Sequence, residues 1–236
     1  MDSTAKYFFL SICLYFCASC TQKQTSEPEK KEDAIPVLTQ MRADALVREC
    51  TVCHGVNEAQ RGPILDGMDY WYLLDQLEKF HSGVRGQYSA NKSEYLMGVG
   101  IRKVKNSVEM AYLADWFSKQ EPKPSVHTVE GDVSRGQEFY EQRCASCHGV
   151  EAQGNRLAQA PSLTRLEGWY FLEQMRKFRG GHRGYHPSDL GGKVMAQASQ
   201  NLTDTTLRDI VAYVVEEFGP EEISSERDQL QSKQPN

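Results

Sequence analysis

Apolar positions along this chain recur at helical spacing, and the same spacing appears twice. In the segment WYFLEQMRKF, Phe171, Leu172, Met175 and Phe178 fall on one helical face. Their counterparts Leu73, Leu74, Leu77 and Phe80 make the same face 98 residues earlier. Ser82-Gly83 and Gly180-Gly181 follow, pairs suited to ending a helix in a left-handed turn. A last helix carries Leu207, Ile210, Val211, Val214 and Phe218 on its inner side. Thr203 suits the start of that helix and Gly219-Pro220 its end. An early helix is expected before each of two cysteine pairs, with Ser134 and Gln137 spaced as a capping box for the second. No stretch alternates persuasively as a strand, so the expected fold class is all-α.

The chain is built from two copies of one unit. Cys50-Thr51-Val52-Cys53-His54 recurs as Cys144-Ala145-Ser146-Cys147-His148, and Pro63-Ile64-Leu65 pairs with Pro161-Ser162-Leu163. WYLLDQLEKFHSGVRG from Trp71 matches WYFLEQMRKFRGGHRG from Trp169, which sets Met97 opposite Met195. Met110-Ala111-Tyr112 pairs with Val211-Ala212-Tyr213. The offset drifts from 94 to 98 to 101, so small loop insertions separate the anchors. The two prolines of Glu121-Pro122-Lys123-Pro124-Ser125 mark a semi-rigid connector. The expected organisation is one domain over 37–120, a linker over 121–130 and a second domain over 131–219.

The ends differ from this pattern. Lys6 followed by the apolar run Tyr7 to Cys17 has the form of an export signal, too short to cross a bilayer as a helix. Cys17-Ala18-Ser19-Cys20 resembles the cleavage box of bacterial lipoproteins, although that box usually has leucine where Cys17 stands. The resemblance implies a signal peptide over 1–20 and lipidation of Cys20, the alternative being plain cleavage nearby that leaves a soluble periplasmic protein. Residues 21–36 and 220–236 are polar and charged, too poor in apolar surface to order themselves. They are expected to be a flexible tether and a disordered tail. Composition adds one exclusion. A formal charge of -5 over 236 residues does not suit a nucleic-acid partner.

The chemistry lies in the cysteines. Four of the seven form the two Cys-x-x-Cys-His motifs, a clustering that a scattered disulfide framework would not give. This motif is the sequence form of covalent haem c attachment. Cys50 and Cys53, or Cys144 and Cys147, lie about one helical turn apart and reach the two vinyl groups of one porphyrin. His54 or His148 then meets the iron. A zinc site needs four ligands, and neither copy offers a second donor pair. A thioredoxin-like dithiol needs a βαβ setting, which is absent. Two covalently bound haem c groups are therefore expected. Each unit has only about 90 residues and a modest core, so a buried porphyrin is also expected to stabilise it.

A thioether sixth ligand would give His/Met iron with a raised potential, and Met97 and Met195 stand at matching places, either as that ligand or as core methionines. Met110 and Met175 fall within expected helices and suit the core. His81, His127, His182 and His186 match no partner in the other copy and suit surface or loop positions. Pro63 and Pro161 recur at a fixed place, either as turn prolines or as carbonyl acceptors for the other ring N–H of the histidine.

From about residue 38 to 218 these motifs resemble tandem class I cytochromes c, the group called cytochrome c-four. The features are the two CxxCH sites, the proline-leucine after each, the tryptophan-tyrosine helix with a basic end, the methionine, and the helix LTDTTLRDIVAYV from Leu202. The resemblance implies helices wrapped around each haem, Met97 and Met195 as distal ligands, and a carbonyl role for Pro63 and Pro161. Many relatives have a second methionine three residues later, where this chain has Ala198. In the first copy Arg42 and Ala45 replace Gly136 and Phe139, which implies different helix packing and different haem potentials.

Electron transfer is then the expected task, on the periplasmic side of a bacterial respiratory chain. The expected partners are a quinol-oxidising complex or dehydrogenase upstream and a terminal oxidase or reductase downstream, with membrane contact only through the lipid at Cys20. The alternative is a di-haem peroxidase, which needs one open iron. A ligand-sensing module is a third reading, without an accompanying signalling domain. Lys79, Arg85, Arg176, Lys177, Arg179 and Arg183 at the basic helix ends are expected to be a solvated face, with steering of an acidic partner as the alternative.

Overall fold

Helix-forming periodicity in the sequence becomes helices at closely matched offsets. The computed structural model describes residues 37–55, 61–123 and 127–219. The expected signal peptide, the Cys20 anchor, the tether, Pro124 and Ser125 of the connector, and the tail lie outside the described residues. The first copy contains α1 (Gln40–His54), α2 (Tyr70–His81), α3 (Lys92–Gly100), a 3-10 turn (Ile101–Lys103) and α4 (Ser107–Ser118). The second contains α5 (Val133–Arg143), α6 (Ala145–His148), α7 (Gly168–Arg179), α8 (Leu190–Ser199) and α9 (Asp204–Phe218). Among the described residues there is no strand, only an isolated bridge between Asn155 and Ala160. The fold is all-α.

The faces read from the sequence are the faces that pack. Phe171, Leu172, Met175 and Phe178 of α7 are buried, as are Leu73 and Phe80 of α2. Leu207, Ile210, Val211 and Val214 make α9 the spine of the second copy, all at most 1% exposed. Each such side chain contributes about 1.5–3 kcal/mol on burial, far more than a surface ion pair. Thr203 caps α9 by accepting from the Thr206 N–H at 3.0 Å. Gly83 and Gly181 take φ of 79° and 71° just past α2 and α7.

Two local expectations change. The cap of α5 is Asp132, which accepts from the Arg135 N–H at 3.0 Å. Ser134 lies inside the helix, so the capping box does not form. Met97 and Met195 stand within helices, α3 and α8, that the sequence does not announce. Their glycines and exposed apolar residues blur the periodicity.

The outer helices meet differently in the two copies. Gly136 lets α5 approach α9 closely, because a Cβ there would lie 2.0 Å from the Asp209 carbonyl oxygen. At the matching place Arg42 bridges α1 to α4, donating to both carboxyl oxygens of Glu109 at 2.9 Å.

Candidate haem sites

Each CxxCH motif closes a helical segment. In the first copy it forms the last turn of α1. In the second, α5 breaks at Cys144 and α6 carries the remaining four residues. No disulfide joins Cys50, Cys53, Cys144 and Cys147. Burial pushes the Cys50 and Cys144 thiols up to about 11. They are protonated at neutral pH, unlike the lowered thiolate of a dithiol oxidoreductase.

The histidines are held by backbone. His54 Nδ1 lies 2.7 Å from the carbonyl oxygen of Pro63, and His148 Nδ1 lies 2.8 Å from that of Pro161. A proline carbonyl can only accept, so Nδ1 carries the proton and Nε2 is left with its lone pair. Burial lowers both imidazoles below the ordinary histidine value, which favours the neutral form a metal requires. His148 and Met195 line one cavity of about 370 Å³, with Pro161, Leu163, Phe171 and Phe178 also in its wall and Trp71 and Leu74 contributed by the first copy. Met97 is half-buried on α3 and packs on the core, as Met195 does. Two free thiols, a neutral imidazole with an open Nε2 and an apolar wall bearing a thioether form a donor set that fits covalently attached haem. Met110 and Met175 are core residues, each 6% exposed.

His81 and His182 are exposed, and His186 and His127 partly so. His127 Nδ1 lies 4.0 Å from Glu216. His182 stacks on Tyr88 of the other copy with ring centroids 5.5 Å apart.

The basic helix ends depart from expectation. Arg85, Arg183 and Lys177 are 3%, 6% and 8% exposed, because they fill the junction between the copies. Arg85 donates to Glu94 Oε1 at 2.6 and 3.0 Å and to Gln174 Oε1 at 2.8 Å. Arg183 donates to Gln174 and Gln76, each at 3.0 Å, and to the Tyr72 hydroxyl at 3.2 Å. Each guanidinium also sits over the phenylalanine of its own copy, Phe80 or Phe178. Lys79 pairs with Asp189 at 3.0 Å across the junction. Arg176 and Arg179 are tied to Asp204. A buried cation cannot steer a partner, so Arg85, Arg183 and Lys177 serve the junction instead. The signal was present in the sequence as Gln76 and Gln174 at matching places, but nothing there says that each accepts from both arginines.

Two more positioning residues escaped the sequence. Fully buried Tyr140 donates to the Gly149 carbonyl at 2.7 Å, directly after His148, where the first copy has Leu46. Glu167 of the second copy accepts from the Ile64 N–H of the first at 2.9 Å.

Comparison with known proteins agrees with this geometry. The family description that matches is cytochrome c, over residues 133–216. The chain is 30% identical over 88 residues to cytochrome c-554(547) of Halothiobacillus neapolitanus, spanning 36% of this chain and 94% of that protein. It is 25% identical over 179 residues to the thiosulfate dehydrogenase electron acceptor of Thiomonas intermedia, spanning 70% of this chain and 76% of that protein. Among solved structures, reduced recombinant cytochrome c4 from Pseudomonas stutzeri shares the fold, with a TM-score of 0.57, 24% identity, and coverage of 75% of this chain and 98% of that one.

Proposed function

Because this chain belongs to the cytochrome c family, we propose that it carries single electrons between larger redox proteins, with one haem c held covalently in each copy. The haem supplies what the polypeptide lacks, a metal that gains or loses one electron without a new bond being made. The residues do the holding. Cys50 and Cys53, and Cys144 and Cys147, are the thioether anchors. His54 and His148 would give Nε2 to the iron, with the Met97 and Met195 sulfurs as the other protein ligands. Pro63 and Pro161 fix the ring orientation of the two histidines. With a histidine and a methionine both holding it, the iron would have little room for other ligands.

The observation that carries this reading is the pinned histidine: in both copies Nδ1 is held by a proline carbonyl within 2.8 Å, so Nε2 is the free ligand nitrogen. The peroxidase reading has less support, since Met97 sits on α3 at the place matching Met195 on α8. A quinol-oxidising complex or dehydrogenase is the proposed donor, and a terminal oxidase or reductase the acceptor. A relative named as the electron acceptor of a dehydrogenase supports the first half of that route. The proposed location is the periplasmic side, tethered through lipidated Cys20. The apolar run before small residues and a cysteine supports this. The domain limits proposed are those of the sequence, 37–120 and 131–219.

The test is reoxidation kinetics. Reduced protein should pass electrons to a purified terminal oxidase far faster than to hydrogen peroxide. Peroxide turnover with a high-spin haem signal would establish the enzymatic reading instead.

A further inference from the structure

Glu167 reaches out of the second copy into the histidine support of the first. Its Oε2 accepts from the Ile64 N–H at 2.9 Å, and Glu167 is only 4% exposed. Ile64 N–H and Pro63 C=O belong to one peptide group. The Pro63 oxygen of that group accepts from His54 Nδ1 at 2.7 Å. The atoms therefore form a continuous chain: imidazole N–H, peptide carbonyl, peptide N–H, carboxyl oxygen. Hydrogen bonds in series polarise one another, and a charged acceptor at the end strengthens each link.

The second copy has no such chain. Asp69 stands at the place of Glu167, one methylene shorter. It lines a cavity of about 230 Å³ together with Ser162, the residue matching Ile64. No hydrogen bond joins Asp69 to the Ser162 N–H.

We propose that Glu167 is a positioning residue that tunes the haem of the first copy from the second, by polarising the Pro63–Ile64 peptide and so making His54 a more electron-rich ligand. A more basic axial imidazole favours the oxidised metal, so the relay lowers the reduction potential of the first haem and leaves the second unmoved. The potential of one site thus depends on the docking of the other copy. The proposal rests on the reading of His54 as an iron ligand.

The experiment is a spectroelectrochemical titration of full-length holoprotein, with the first couple assigned by loss of its sulfur-to-iron band in M97A. In E167Q, which keeps an acceptor oxygen but no charge, the first couple should rise. The expected change is about tenfold in the oxidised-to-reduced ratio at fixed poise, about 59 mV for one electron. E167D keeps the charge but should not reach Ile64, so the same couple should rise there too. The second couple should stay in place in both, which also reports that the variants fold. An unchanged first couple in E167Q, equal movement of both couples, or a wild-type potential in E167D would each overturn the relay. Should E167Q fail to fold, the wild-type Ile64 amide decides: slow hydrogen exchange supports the bond, and exchange at the rate of an exposed loop overturns it. A protein with only one couple would sink the ligand reading of His54, a result distinct from any of these.

Discussion

The two copies are alike where they face the cofactor and unlike behind it. Helices α2 and α7 start 98 residues apart, as do α3 and α8, and Met97 and Met195 keep the same offset. Both histidines meet a proline carbonyl. Behind them the solutions diverge. The second copy closes its outer helices through Gly136, supports Gly149 with Tyr140 and ties α7 to α9 through Asp204. The first copy uses an Arg42–Glu109 bridge, an apolar Leu46 and a buried Arg85–Glu94 pair. The wall that must fit one porphyrin leaves little choice of register. The outer packing has only to be stable, and several arrangements meet that requirement.

The largest expected difference lies at the junction. In R85Q, Glu94 is left buried without its cation, and the cost should be about 3–5 kcal/mol in denaturant unfolding of holoprotein. In R183Q no carboxylate is stranded, because Arg183 donates to Gln174, Gln76 and Tyr72 and Gly192 occupies the place of Glu94. That loss should be about 1–3 kcal/mol. Equal losses would break the contrast.

At the outer helices, G136A drives a methyl group into the Asp209 backbone and should cost about 1–3 kcal/mol or more. R42A in the first copy takes the cation from the buried Glu109 carboxylate, which keeps the Lys105 N–H, and should cost a similar amount, about 1–3 kcal/mol, that shrinks with added salt. A more damaging R42A would mean that α1 and α4 depend on their ion pair as α5 and α9 depend on close contact.

Smaller again is Y140F, which removes one of two donors to the Gly149 carbonyl, leaves the Ala152 N–H at 3.2 Å, and should lose about 1 kcal/mol in unfolding, with the second haem's spectrum perturbed and the first unchanged.

The smallest effect is confined to acid. Hydrogen bonds from Arg176 and then Arg179 hold the Asp204 carboxyl down at about 2, from an ordinary 3.8. A lowered carboxylate stabilises the fold above the ordinary value and loses that contribution as pH falls toward the folded one. D204N should therefore melt below wild type at pH 5, with the gap closing between about pH 4 and pH 2. A gap constant across that window would remove the clamp from the account.

Much of this was legible in the sequence because it is local. Phe171, Leu172, Met175 and Phe178 announce a buried face by spacing alone, and CxxCH announces its own chemistry. Asp132 and Ser134 are both good capping residues two positions apart, and the sequence alone does not decide between them. Helices α3 and α8 were missed because their glycines and exposed apolar side chains carry no clean period. The roles of Arg85, Arg183 and Glu167 were hidden for a different reason. Part of each one's set of partners lies in the other copy, and the donor to Glu167 is a backbone N–H 103 residues away in sequence. Charge at a helix end reads as solvated until the surface that covers it is known.

The most direct test of the central claim is intact mass and visible spectrum of protein matured in a host able to attach haem c. Two covalently bound haems should be found, titrating as two one-electron couples, with the sulfur-to-iron band reduced in M195A and again in M97A. Colourless protein, or a mass showing free thiols at Cys50, Cys53, Cys144 and Cys147, would contradict it.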